Sequence, residues 1–217
     1  MNNRSGALMG MAAFVWFWVA LAGFAALRPD YSHAHKAVSE LGVIGAPNAL
    51  AWNLVGFIVP GVLLALCGAC LANEVDGGRK ILWCLLVMAG VGFTLTGIFP
   101  AEMNDGDPVM QAPLTMLHVV AVMLSSLFWM LGALLLPWRT RRSSTWSSST
   151  RLAVMLAVLS VGGSLLNIIL LPVLLPQLQF MPGITQRIGF AFCLAWYLVI
   201  GVRLYRHAAP MVITNKT

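Results

Sequence analysis

Six apolar runs, each about twenty residues long, dominate this 217-residue chain and all but dictate its fold. A helix rises about 1.5 Å per residue, so a run of that length crosses the hydrocarbon core of a bilayer. Lipid offers no hydrogen bonds, so such runs must pair their backbone groups internally, as helices do. The runs cover about 7–27, 50–72, 81–99, 114–136, 152–175 and 186–205. Arg28-Pro29 closes the first, Pro100 the third and Pro137-Trp138 the fourth, while Pro172 and Pro176 fall near the end of the fifth. Pro60-Gly61 inside the second predicts a kink. The expected fold is therefore all-α: a polytopic membrane helix bundle of six transmembrane helices, with residues 1–217 as a single transmembrane domain. Charged residues make up 9% of the chain, against roughly 25% in soluble domains, and that leaves no material for a soluble domain.

The first run invites comparison with a secretory signal, because Arg4, an apolar stretch and Ala20-Leu21-Ala22 imitate a cleavage site. The apolar residues continue to Leu27, long enough to span, so an uncleaved signal anchor is the expectation. Lys and Arg collect in cytoplasmic loops. Ten of them fall at the N-terminus, after the second and fourth runs and at the C-terminal end; Arg28, Lys36 and Arg187 fall on the other side. This predicts both termini in the cytoplasm of a cell whose inner membrane holds the chain. It also explains the net charge of +6 without nucleic acid as a partner. Trp83 and Trp138 suit anchors at the inner interface and Trp52 one at the outer.

Within the runs, small residues recur at close spacing: Gly6 and Gly10, Gly68 and Ala72, Gly90, Gly92 and Gly97, Gly162 and Gly163. Membrane helices approach closely along such faces, because packing holds them together. Gly90 precedes Pro100 by the interval at which Gly162 precedes Pro172, a faint hint of related hairpins. Cys67 and Cys70 form a C-x-x-C pair, a spacing used in redox and zinc sites. In an apolar helix such thiols stay protonated and inert, so a packing role is expected. Asn53 and Asn167 are predicted to hydrogen-bond between helices.

The sidedness places residues 28–49, 100–113 and 176–185 on the outer face, and most of the reactive side chains lie there or just inside. The first connection carries Asp30, Ser32, His33, His35, Lys36, Ser39 and Glu40. The second carries Glu102, Asn104, Asp105, Asp107 and Gln111, with His118 a turn into the fourth run. The third has Gln177 and Gln179, then Gln186 and Arg187 at the start of the sixth run. The candidate pocket residues are thus Ser32, His33, His35, Ser39, Glu40, Glu102, Asp105, His118, Gln186 and Arg187.

Each cluster has a plain and a chemical reading. His33 and His35 share one side of an extended segment, and with His118 and a carboxylate they would make a zinc or other divalent-metal set; solvated loop histidines are the plain alternative. Asn104-Asp105-Gly106-Asp107 is part of a calcium-loop pattern without its closing Glu, so a polar turn is expected. Ser32-His33 and Ser39-Glu40 place a hydroxyl beside a base or acid, but neighbours in sequence are not a catalytic triad. His118 and Arg187, near the outer boundary, either snorkel or pair with Glu40, Glu102 or Asp105; Arg187 stands on the side the charge rule disfavours, which predicts a paired, partly buried cluster.

Pro29-Asp30-Tyr31-Ser32, Ser39-Glu40-Leu41-Gly42, Gly97-Ile98-Phe99-Pro100 followed by acids, Leu117-His118 and Gly183-Ile184-Thr185-Gln186-Arg187 occur in that order. In these motifs the chain resembles the small multi-pass prokaryotic membrane proteins catalogued as domain of unknown function 998, over about residues 10–205. The resemblance implies a bundle of six or seven spans and brings no activity with it. The acid behind Phe99-Pro100 comes here as Glu102 and then Asp105, where an Asp closer to the Pro is expected.

Three functions fit these residues: binding or passage of a small or amphipathic molecule at an outer-face pocket, hydrolysis of a lipid-like substrate within the membrane with or without a metal, or assembly into a larger membrane complex. The run interiors hold no Asp, Glu, Lys or Arg, which weakens ion-coupled transport. Membrane lipids and a small-molecule or lipid-like ligand are the partners expected.

Overall fold

The computed structural model describes residues 3–75, 79–104, 107–140, 150–165, 171–175 and 181–207. Apolar sequence becomes helix almost throughout: α1 Asn3–Ala26, α2 Ala49–Asn73, α3 Arg79–Ile98, α4 Pro113–Thr140, α5 Thr150–Leu165, a single turn α6 Leu171–Leu174, and α7 Pro182–His207. Five of these (α1, α2, α3, α4 and α7) are long and apolar enough to cross a membrane, and α5 contains a shorter apolar stretch, Val154–Leu165. Consecutive helices pack side by side from α1 to α5, α5 meets α7, and α7 returns to α1, so six helices close a ring. Asp105, Asn167, Gln177, Gln179 and residues 141–149 lie outside the described residues.

Small residues set the helix contacts. A Cβ on Gly90 of α3 would sit 2.6 Å from the Gly61 carbonyl oxygen of α2, and one on Gly61 would sit 2.6 Å from the Thr94 nitrogen. Backbone therefore meets backbone along α2 and α3. Gly6 and Gly10 of α1 accept the C-x-x-C pair of α2 in the same way, each added Cβ coming 2.7 Å from the Sγ of Cys70 or Cys67. The thiol spacing is that of one helix face packed on another, and both cysteines are buried. Gly162 faces open space, unlike Gly90, so the matching Gly–Pro intervals do not mark equivalent contacts.

Neither Pro60 nor Pro137 ends its helix. Pro60 lacks the N–H its helix needs and its ring crowds the preceding turn. The turn just before it, Asn53–Ile58, widens into a π-helix, and α2 runs on through Val59–Asn73. Pro137 lies inside α4, which continues to Thr140 instead of ending at 136. There the Thr140 hydroxyl donates to Leu136 O at 3.0 Å, tying down the last turn. The fifth apolar run, expected as one span over 152–175, shows two helical pieces, α5 and α6, among its described residues.

Aromatic rings fill the interior. Phe17 of α1 meets Phe190 of α7 at 4.8 Å and Phe93 of α3 at 6.0 Å between ring centres, and Phe57 of α2 lies 5.7 Å from Phe93. Trp52 is fully buried in this group, against Phe24 and Phe57, not at the interface as an anchor. Gly42 and Gly56 leave the room its indole occupies. Trp83 and Trp138 are exposed, as interface anchors need to be. So is a stripe of α4 through Met116, Val120, Met123, Leu127, Leu131 and Leu134, an apolar surface suited to lipid and not to water.

Candidate functional site

The connections between α1 and α2 and between α3 and α4, together with the start of α7, gather at one end of the ring. Hydrogen bonds stitch them. Ile44 N–H donates to Ala101 O at 3.0 Å, joining the first connection to the second, and Ile184 N–H donates to Ala34 O at 3.2 Å, joining the first to α7. Gln186 Oε1 accepts the Val38 N–H. Gly183 makes the α7 junction possible, since an added Cβ would lie 2.5 Å from the carbonyl oxygens of both His33 and Lys36. The described parts of the three polar segments therefore meet in one polar cap.

Arg187 is the fastening of that cap. Its Nη1 donates to Gly183 O at 2.8 Å and to Lys36 O at 3.2 Å, and its Nη2 donates to the Tyr31 hydroxyl at 2.9 Å. Tyr31 in turn donates to Ala37 O at 2.9 Å. Two guanidinium groups lie near the Tyr31 ring, Arg187 5.6 Å and Arg28 5.9 Å from its centre. Sequence reasoning missed Tyr31 as a site residue. Its position between Arg28-Pro29-Asp30 and Ser32-His33 was the available signal, for an aromatic ring with a polar tip suits a bilayer boundary.

The expected pairing of Arg187 with a carboxylate does not form among the described residues, where its partners are two carbonyls and a phenol. Asp30 takes the ion pairs instead, at 3.3 Å to Arg28 and 3.1 Å to Lys36. The Lys36 hydrogen bond holds the Asp30 carboxyl below its ordinary range. Glu40 turns inward to the Ala37 N–H at 2.7 Å, closing the 3₁₀ turn Val38–Gly42, and its backbone carbonyl accepts from Arg28 at 3.0 Å. Ser32 Oγ accepts the His35 N–H at 3.3 Å, which is a turn bond. Ser39 is half-buried in the 3₁₀ turn.

The histidines part company. His33 and His35 are exposed, His33 with its ring centre 5.6 Å from that of Tyr31, edge to face. His118 is buried on α4, its Nδ1 2.8 Å from Phe99 O and 3.0 Å from Thr96 O. Two carbonyl acceptors require that Nδ1 carry a proton, so it donates to both and satisfies carbonyls left open at the end of α3. Nearby, the Glu102 N–H donates to Thr115 Oγ1 at 2.8 Å. Among the described residues no three His, Cys, Asp or Glu form a group that could hold a metal, and His33, His35 and His118 are not brought together as one.

Burial raises the Tyr31 phenol above its ordinary pKa, outweighing the hydrogen bond from Arg187; nearby Glu40 pushes the same way and Arg28 the other. A raised folded value means the protonated phenol stabilises the fold. That contribution is complete below about pH 10 and fades as pH climbs through the folded value. In a melting series from about pH 8 to 11, Tyr31→Phe should lose less stability at the alkaline end than the parent chain. Equal losses would show that folding does not raise the phenol's pKa.

Long apolar helices in a closed ring, a lipid-facing exterior and one pinned polar end define a multi-pass α-helical membrane protein. Residues 11–203 match the family model described as Protein of unknown function (DUF998), and the chain belongs to that family. No curated protein and no solved structure matches the chain.

Proposed function

We propose that the cap faces outward, that both termini lie in the cytoplasm beneath an inner membrane, and that the cap binds a small or amphipathic molecule. The excess of Lys and Arg at the opposite end supports the orientation. The observation that carries the binding reading is the stitching itself. Cross-connections hold Tyr31, Gln186 and Arg187 in place, so a ligand meets side chains that are already ordered. Binding fits better than passage, because Phe17, Phe93 and Phe190 meet across the middle of the ring.

Mass spectrometry of small molecules and lipids retained by the purified protein tests the reading. A species held by the parent chain and lost from a Tyr31→Phe, Gln186→Ala double variant is the expected result. Identical retained species in both would overturn it. For the orientation, a membrane-impermeant maleimide added to intact cells should label Pro47→Cys and not Ser144→Cys; the reverse would turn the cap inward.

A further inference from the structure

We infer that the end of the bundle opposite the cap holds an anionic phospholipid on the α3–α4 hairpin, with Arg79, Lys80 and Arg139 at its headgroup. The site stands whatever the cap binds and whichever way it faces. The chain has seven Asp and Glu, and Asp30, Glu40, Glu102, Asp105 and Asp107 belong to the connections at the cap end. Glu74 and Asp76 are left against the ten Lys and Arg of the other end, so a positive surplus survives any pairing between them. Glu74 takes a hydrogen bond from Asn3 at the start of α1. Packing fixes how the hairpin presents its cations. α3 and α4 run antiparallel, with Gly92 against Ser125, while a Cβ on Gly132 would sit 2.6 Å from Leu86 Cδ2. Arg79 and Arg139 lie an equal number of residues beyond that second contact, so they reach the same level of the bundle, with Lys80 next to Arg79. Arg79 and Lys80 are exposed and Arg139 is half-buried.

Two indoles set the depth. Trp83 lies about a turn inside Arg79 and Lys80, Trp138 adjoins Arg139, and both rings are exposed. The Arg139 guanidinium is 4.9 Å from the centre of the Trp138 ring. Exposed indoles settle at headgroup level, which puts the three cations where lipid phosphates lie. Farther in, Met88 of α3 and Leu127, Leu131 and Leu134 of α4 are exposed, an apolar surface that acyl chains can follow. Guanidinium and ammonium groups together suit the oxygens of a phosphate, which accept several hydrogen bonds at once. A choline headgroup offsets its own phosphate charge, whereas an anionic headgroup keeps it, so the surplus selects the anionic lipid. Arg203 and Arg206 share this end but lie on α7, which packs on α1 and α5 and whose Trp196 is buried in the core. The hairpin therefore joins cations, exposed indoles and an apolar stripe on one surface.

The test melts the full chain in a non-ionic detergent during titration with phosphatidylglycerol, with phosphatidylcholine, and with inorganic phosphate at matched ionic strength. Two double variants remove the same charge from the same end: Arg79→Gln with Lys80→Gln on the hairpin, and Arg203→Gln with Arg206→Gln on α7. Phosphatidylglycerol should stabilise the parent chain more than phosphatidylcholine does. The hairpin variant should need about tenfold or more phosphatidylglycerol for half the effect, and the α7 variant less than about threefold more. Should the α7 variant fail to fold, because Arg203 is half-buried, Lys80→Gln is compared with Arg206→Gln, both at exposed positions, and the same order is expected. Equal weakening on the hairpin and on α7 would overturn the inference, for the attraction would then be spread over the whole basic end. Equal stabilisation by phosphatidylcholine would overturn it as well, and so would equal stabilisation by inorganic phosphate, which would make the partner a soluble anion.

Discussion

Gly90→Val is expected to be among the most damaging single changes in the bundle, costing about 3 kcal/mol, the upper part of the range for overpacking. The added Cβ would fall 2.6 Å from Gly61 O and 2.7 Å from Ala65 Cα, atoms of the α2 backbone that no rotamer change can move. Relief requires α2 and α3 to separate, and Gly61 against Thr94 and Gly97 against Asn53 O would then lose contact as well. The control is Gly162→Val, which meets nothing within 4 Å and should stay within about 0.5 kcal/mol. Thermal unfolding of both variants in the same detergent measures the difference. Similar melting temperatures for the two would mean that the close α2–α3 approach does not carry the stability assigned to it.

Arg187→Lys is expected to unfasten the cap although it keeps the charge. An ammonium is compact and cannot reach Gly183 O, Lys36 O and the Tyr31 hydroxyl from one position, as the forked guanidinium does. Losing two of these charge-assisted bonds should cost about 2–4 kcal/mol. The change should be local. Amide hydrogen exchange is expected to quicken at Val38 and Ile184, whose N–H groups cross between the first connection and α7, while amides in the middle of α2 and α3 keep their protection. Unchanged exchange at those two amides would show that Arg187 is not what holds the elements together.

Both predictions turn on partners that sequence reading did not supply. The polar stretch around Ser32 to Glu40 stood out because Lys, His and carboxylates are costly beside lipid, and that cost is readable residue by residue. Its association with Gln186 and Arg187 was also anticipated, through the alternation of sides. The pairing itself was not. Arg187 was expected on an acid and bonds carbonyls and Tyr31, while Glu40 and His118, expected near it, each serve a local turn or helix end. Trp52 was misread for a similar reason. Its place near an interface is a matter of depth, which sequence position gives, but its burial depends on how α2 is rotated about its axis.

That division has a physical cause. The partition of each run into lipid depends on its own composition and length, so the apolar helices, their order and the polar connections between them were all available from the chain as written. Which face of each helix turns inward is decided by contacts between helices, where Gly61 meets Gly90 and Gly10 receives Cys67. A bond between Arg187 and Tyr31 joins residues 156 positions apart. It exists only because α7 closes the ring against α1, and nothing local to either residue encodes that closure.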